Sequence, residues 1–308
     1  MGECDSVLLI AFGGPERPED IRPFLRTVAA GRQIPPERIE EVVHHYGMIG
    51  GRSPLNELTR LQAEGLLTAL TREGMTQPVY VGMRNWHPFL HEALAQMRGE
   101  GHRRALGIIL SSFRTEASWD RYMRDVAAAR EKLGPAAPEV AYAPAWAGHP
   151  LFIECMVDRV TEVLARVAPA RRNGTPLVFT AHSVPAAMAE GSPYRTQLTA
   201  AARRIAERLR HPWWSVAYQS RSGSPREPWL EPDVCDALRA LARDGARDVV
   251  VAPVGFVCDH VELLYDLDVE ARRVAEGLGL QFHRAPAAND HPLFIAMLAD
   301  LVRKGPEA

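Results

Sequence analysis

One histidine and one acidic segment carry the residue types that metal and proton chemistry needs. His182 closes the buried run LVFTA and precedes Ser183 and Pro185, which places it at the carboxyl end of a strand. A neutral imidazole there binds a metal or accepts a proton near neutral pH. It serves equally well as a partner for a loop carbonyl, and position alone leaves both readings open. The segment 255–271, GFVCDHVELLYDLDVEA, is denser. Asp259 reads as a helix cap, since its carboxylate accepts from first-turn amides. Glu262, Asp266 and Glu270 then recur at i, i+4 and i+8, along one face of a helix. Like charges so spaced repel, so the stripe is either a solvated face or a line that a cation relieves. It begins directly after the strand VVVAPVGF, so its first members fall at the mouth of a sheet. Carboxylates with one imidazole suit a hard or borderline divalent ion such as Fe(II), loosely held.

Other features say less. GGRSPLNELT at 50–59 is a glycine turn in which Ser53 and Pro54 start a helix. Neither GxxxxGK[ST] nor GxGxxG occurs, so nucleotide binding has little support. His44 and His45 lack the i, i+4 spacing of helical zinc sites and read as surface or site lining. Trp213, Trp214 and Trp229 read as packing residues. Gly31, Arg32 and Gln33, followed by Pro35 and Pro36, read as a loop.

The elements that must position these residues follow from periodicity. Continuous apolar or β-branched runs at 7–12, 79–83, 105–111, 140–143, 177–181, 215–218, 249–254 and 280–283 predict strands buried on both faces. Helical periods fill 55–71, 91–99, 122–133, 150–167, 194–209 and 234–243. Such alternation predicts an α/β fold with parallel sheets. The chain also repeats itself. Phe113, Tyr122, Asp125, Val126, Ala128 and Arg130 each recur identically 143 positions later, and AFGGP at 11–15 answers AHSVP at 181–185. Two similar domains of four strands each are expected, residues 1–149 and 150–289, with a terminal helix of about 290–308 packing back on the first. Open sheets bind ligands beyond the carboxyl ends of their strands, so two such domains are expected to face each other across a cleft. Phe12 and His182 then hold equivalent positions, one aromatic and one basic.

Composition narrows the class. The 308 residues carry 36 basic and 38 acidic side chains, a net charge of −2 that offers no field for nucleic acid or anionic lipid. The four cysteines, at 4, 155, 235 and 258, form no CxxC pair, which excludes a zinc ribbon and fits a reducing cytoplasm. No apolar run approaches the roughly 20 residues of a membrane span. A soluble, cytoplasmic protein is expected from these counts; a monomer is expected as well, though nothing in the composition requires one.

In order along the chain, AFGGP, GGRSPL, TAHSVP, YQSRSG with PWLEPDV, and PVGFVCDHVELLYDLD resemble the ferrochelatases. The resemblance implies two Rossmann-like domains and the insertion of Fe(II) into a porphyrin, with release of two protons. It makes His182 and Glu262 the catalytic and metal-handling pair, with Asp266 and Glu270 as a metal or proton path behind them. Porphyrin contacts carry over to Phe12, His45, Tyr46, Ser53 and Tyr122. Porphyrin and haem are then substrate and product, Fe(II) is a substrate, and no prosthetic group is needed. The loop AAGRQIPPE resembles the soluble bacterial form that acts on coproporphyrin III, and no cysteine follows Cys258 to hold an iron–sulfur cluster.

Three positions depart from the pattern. Phe12 stands where that form often has a tyrosine able to ligate iron, and Ala29 and His45 stand where arginines meet propionates. His45, Arg32 and Arg84 are the candidate substitutes for the lost charge. Protoporphyrin IX is the alternative substrate. A cobalt or nickel chelatase of a reduced tetrapyrrole shares the fold but pairs a second histidine with the first instead of the acidic helix. A non-catalytic porphyrin carrier would need no acidic stripe.

Overall fold

The computed structural model describes residues 4–31, 35–222 and 227–307. Its strands are β1 (Ser6–Ala11), β2 (Val79–Met83), β3 (Arg104–Ile109), β4 (Glu139–Tyr142), β5 (Leu177–His182), β6 (Trp214–Gln219), β7 (Asp248–Ala252) and β8 (Gln281–Arg284). They form two four-stranded parallel sheets, ordered β2-β1-β3-β4 and β6-β5-β7-β8, so both halves wind alike. Val7 registers against Val79 and Leu106, and Leu177 against Trp214 and Val250. Val7 to Ile10 and Val249 to Ala252 are fully buried, as expected of central strands covered on both faces.

The chain divides into two compact units, one of Met1–Ser111, Ala117–Ala145 and Asp290–Ala308, the other of Ser112–Glu116 and Trp146–Asn289. In the first, the terminal helix Pro292–Lys304 lies close on Leu55–Arg72, where a β-carbon on Gly65 would stand 3.1 Å from Ile295. Glu307 N–H bonds the Tyr142 carbonyl at 2.9 Å, holding the chain's end to β4. In the second, helix Pro150–Leu164 stops earlier than its apolar period suggests. Arg172 reaches back to the carbonyls of Leu164, Ala165 and Val167 at 2.9, 3.0 and 3.1 Å and satisfies the helix end.

Two readings change. Pro36, expected in a loop, is the first residue of helix Pro36–Met48, where its missing N–H costs nothing. His45 and Tyr46 therefore ride on a helix, and Arg32 lies outside the described residues. The acidic segment is also not one α-helix. It runs as a four-residue turn, Val261–Leu264, then a π-helical stretch, Asp266–Ala271, then helix Arg272–Gly277. Glu270 N–H bonds the Tyr265 carbonyl at 2.9 Å, the five-residue step of a π turn. A second π stretch, Glu116–Asp120, precedes helix Arg121–Leu133 in the first half of the repeat.

Candidate active site

His182 is the last residue of β5, opposite Gln219 at the end of β6. Its Nδ1 hydrogen-bonds the Ser183 carbonyl, which can only accept, so Nδ1 carries a proton. Its Nε2 faces Glu262 Oε1 at 3.5 Å, and side-chain exposures of 30% and 36% leave both groups reachable. Tyr194 donates to the His182 carbonyl at 2.8 Å, fixing the strand end. Burial alone would lower the imidazole pKa; the Glu262 carboxylate, the Ser183 carbonyl and Asp266 outweigh it and bring it up to about 9. Pairing with Glu262 thus favours the protonated form of an imidazole that position alone leaves neutral.

Glu262 is held by its main chain. His260 caps the turn, its Nδ1 accepting the Glu262 N–H at 3.2 Å, and Gln219 Nε2 donates to the Glu262 carbonyl at 2.7 Å. Burial keeps the His260 pKa below its ordinary value, despite Glu262 and Asp259, which suits a ring that must accept. Asp259, expected as the cap, does other work. It accepts from Arg284 Nη1 at 2.9 Å, Asn289 Nδ2 at 3.1 Å and the Ala287 N–H at 3.3 Å. Arg284 also grips Asp268 at 2.7 Å, so one guanidinium pins the segment before and after Glu262. Ser220, at a left-handed φ of 62°, donates to Asp266. Burial and the neighbouring Glu262 raise the Asp266 carboxyl to about 7, against the opposing pull of Ser220. Glu270 is exposed. Among the described residues no group of three or more His, Cys, Asp or Glu is arranged to hold a metal ion. His182 and Glu262 together present one ring nitrogen and one carboxylate to the same space.

The other candidates gather in the first unit. Phe12 follows β1 with 38% of its surface exposed, edge-on to Phe24, which also meets Tyr46 and Trp86 at 6.4 and 6.2 Å. Tyr46 and Tyr122 are buried. The Arg84 guanidinium lies 4.5 Å from the Tyr122 ring centre and 5.8 Å from that of Phe12, with Nε on Asp125 at 2.5 Å. Its side chain is 7% exposed, so its charge is already matched. Burial pushes the His45 imidazole below its ordinary pKa, against Glu41, and it stands neutral where an arginine's charge was to be replaced. Ser53 is buried against Gly14, accepting the Leu55 N–H at 3.3 Å while its own N–H bonds Pro15. Its hydroxyl serves the turn. Sequence reading missed Gln219, Ser220, His260, Tyr194 and Trp86. Gln219 and Ser220 lie inside YQSRSG, but their partners are distant in sequence and only folding reveals them.

The fold is that of the two-domain α/β chelatases. The solved structure of SirB from Bacillus subtilis with Fe3+ superposes with a TM-score of 0.61 at 9% identity, covering 97% of this chain and 94% of that one. A family model described as Ferrochelatase matches residues 4–305. The coproporphyrin III ferrochelatase of Mycobacterium avium (strain 104) is 44% identical, over 97% of this chain and 88% of its own length. That of Streptomyces coelicolor is 41% identical, over 97% and 84%. A ferrochelatase of Rhodopirellula baltica is 40% identical, over 97% and 86%. The chain belongs to the ferrochelatase family, enzymes that insert iron into a porphyrin, and Fe(II) is a substrate. Among the described residues no helix is long and apolar enough to cross a membrane.

Proposed function

We propose that this ferrochelatase inserts Fe(II) into coproporphyrin III during haem biosynthesis, with His182 and Glu262 as the reacting pair. The observation that carries the reading is the 3.5 Å approach of His182 Nε2 to Glu262 at the mouth of the second sheet. The names of the Mycobacterium and Streptomyces relatives support the porphyrin.

A flat porphyrin turns its nitrogen lone pairs away from an incoming ion, and two N–H protons block the hole. Binding energy from the ring faces and propionates offsets the bending that exposes them. The resting imidazolium–carboxylate pair gives up its proton as a divalent ion arrives, because the ion replaces the proton's charge. Neutral Nε2 and the carboxylate then take the pyrrole protons or ligate the metal in passing. Asp266, titrating near neutrality, is matched to relay protons outward to exposed Glu270. In the first unit Phe12, with its ring partly exposed, is the aromatic candidate open to a porphyrin, while Tyr46 and Tyr122 are buried behind the surface.

We further assign the protein to the cytoplasm as a monomer, working without a prosthetic group. One observation favours protoporphyrin IX instead. Burial holds His45 toward its neutral form and Arg84 is bound to Asp125, so neither of these two candidate substitutes offers an unmatched charge to the propionates. Anaerobic incubation with Fe(II) and each porphyrin, followed by absorption, decides the matter. A higher kcat/KM for coproporphyrin III is expected; a clear preference for protoporphyrin IX overturns that choice. Binding of both without turnover overturns the enzyme.

A further inference from the structure

Besides the His260 cap, a second grip on Glu262 comes from a side chain with no acid, base or nucleophile of its own. Gln219 is 1% exposed. Its main-chain oxygen accepts the Ser183 N–H at 2.7 Å, tying it to the strand end that carries His182. Its side-chain Nε2 donates to the Glu262 carbonyl at 2.7 Å. One residue is thus bonded on both sides of the gap between imidazole and carboxylate. Its Oε1 is buried and makes no hydrogen bond. A buried amide with an orphaned oxygen is a poor choice for packing alone, and an isosteric methionine would fill the space without that cost. What the amide contributes is its N–H to Glu262. The tether matters because Val261–Leu264 is a single turn, too short to hold its own geometry.

We propose that Gln219 is a positioning residue that sets the distance between the Glu262 carboxylate and the His182 imidazole. It does so by tying the Glu262 main chain to the end of β6. The inference rests on the reading of His182 and Glu262 as the reacting pair. Without the tether the turn pivots, and the carboxylate leaves the reach of Nε2 while the fold persists.

The test is a double-mutant cycle between Gln219→Met and Glu262→Asp, read by anaerobic Fe(II) insertion, porphyrin dissociation constant and Tm. Gln219→Met is expected to lower turnover about tenfold, in line with the cost of misplacing a reacting group. Porphyrin affinity and Tm stay at wild-type values. In the Glu262→Asp background, where the carboxylate is already withdrawn, the same change costs less than about threefold, because the two substitutions act on one distance. Gln219→Leu, which cannot donate, repeats the drop and serves if the methionine variant fails to fold. Equal losses in both backgrounds, or losses that track porphyrin affinity and Tm, mean a structural role and overturn the proposal. So does wild-type turnover in Gln219→Met when Glu262→Asp is impaired. Wild-type turnover in both Glu262→Asp and Glu262→Gln overturns the underlying reading, and this inference with it.

Discussion

His182 divides its work between two ring nitrogens. Nδ1 is committed to the Ser183 carbonyl, so only Nε2 faces Glu262. Because the carboxylate holds the imidazole proton up to about 9, that proton competes with the metal through the neutral range. The kcat/KM for Fe(II) is therefore expected to rise with pH toward that value, as the pair loses its proton. In Glu262→Gln the raising charge is gone, so the midpoint should move down while turnover falls about a hundredfold or more, the usual worth of a positioned acid or base. A pH profile of both proteins checks this; an unchanged midpoint refutes the pairing. His182→Ala should abolish insertion while porphyrin still binds, measured by fluorescence quenching. Phe12 has no oxygen for iron, and at 38% exposure its ring edge is accessible. Phe12→Tyr is expected to add a phenolate charge-transfer band to the spectrum of bound haem and to slow its release.

At the scale of the element, the segment from Asp259 to Gly277 shows how a strained line of charge is held. Arg284 clamps Asp259 and Asp268, while Ser220 and Gln219 take the opposite side. Within the line Asp266 is the group out of place, since burial and Glu262 raise it to about 7 from 3.8. A carboxyl whose folded pKa is raised destabilises the native state progressively as pH climbs from the unfolded value to the folded one, then by a constant amount. Asp266→Asn removes that dependence. Its Tm advantage over wild type should be absent near pH 4, grow to about pH 7 and level off above it. Thermal melts across that range decide, and an advantage that shrinks with rising pH contradicts the assignment. Turnover in Asp266→Asn should fall less than in Glu262→Gln, with the deficit largest at low Fe(II).

Across the whole molecule, one winding is used twice, and the two copies have taken different residues at matching strand ends. The second sheet is also locked at the opposite end of its strands, where β7 begins. Asp248, 3% exposed, receives Arg171 Nε at 2.6 Å and His283 Nε2 at 3.2 Å. Burial raises its pKa, but those two partners outweigh it, and the folded value lies below 3.8. A depressed carboxylate contributes stability that is full above the unfolded pKa and lost as pH falls through the folded one. Asp248→Asn should cost roughly 2 kcal/mol at pH 7, less than a fully buried pair because Arg171 is half exposed. The difference should close below about pH 3.8, which denaturant titrations at the two pH values will show.

Much of this was legible in the chain itself. Strand placement and parallel pairing follow from continuous apolar runs such as Leu177 to Ala181, because burial on both faces leaves no room for alternation. The placement of His182 was legible for the same reason: it closes such a run, and a strand's carboxyl end is where a parallel sheet opens to ligands. Other assignments had no local signal. Glu262, Asp266 and Glu270 match an α-helical period as well as a π turn, since the difference is one backbone step at Tyr265. Asp259 has the residue type of a cap but lies beside Arg284, 25 positions away, and a guanidinium outbids an amide for a carboxylate. The charge states of His182, His45 and Asp266, and the tether from Gln219 to Glu262 across 43 positions, depend on burial and on neighbours that the chain brings together only by folding. Spacing along the sequence determines which residues share an element; desolvation and pairing, which need three dimensions, decide what those residues can do.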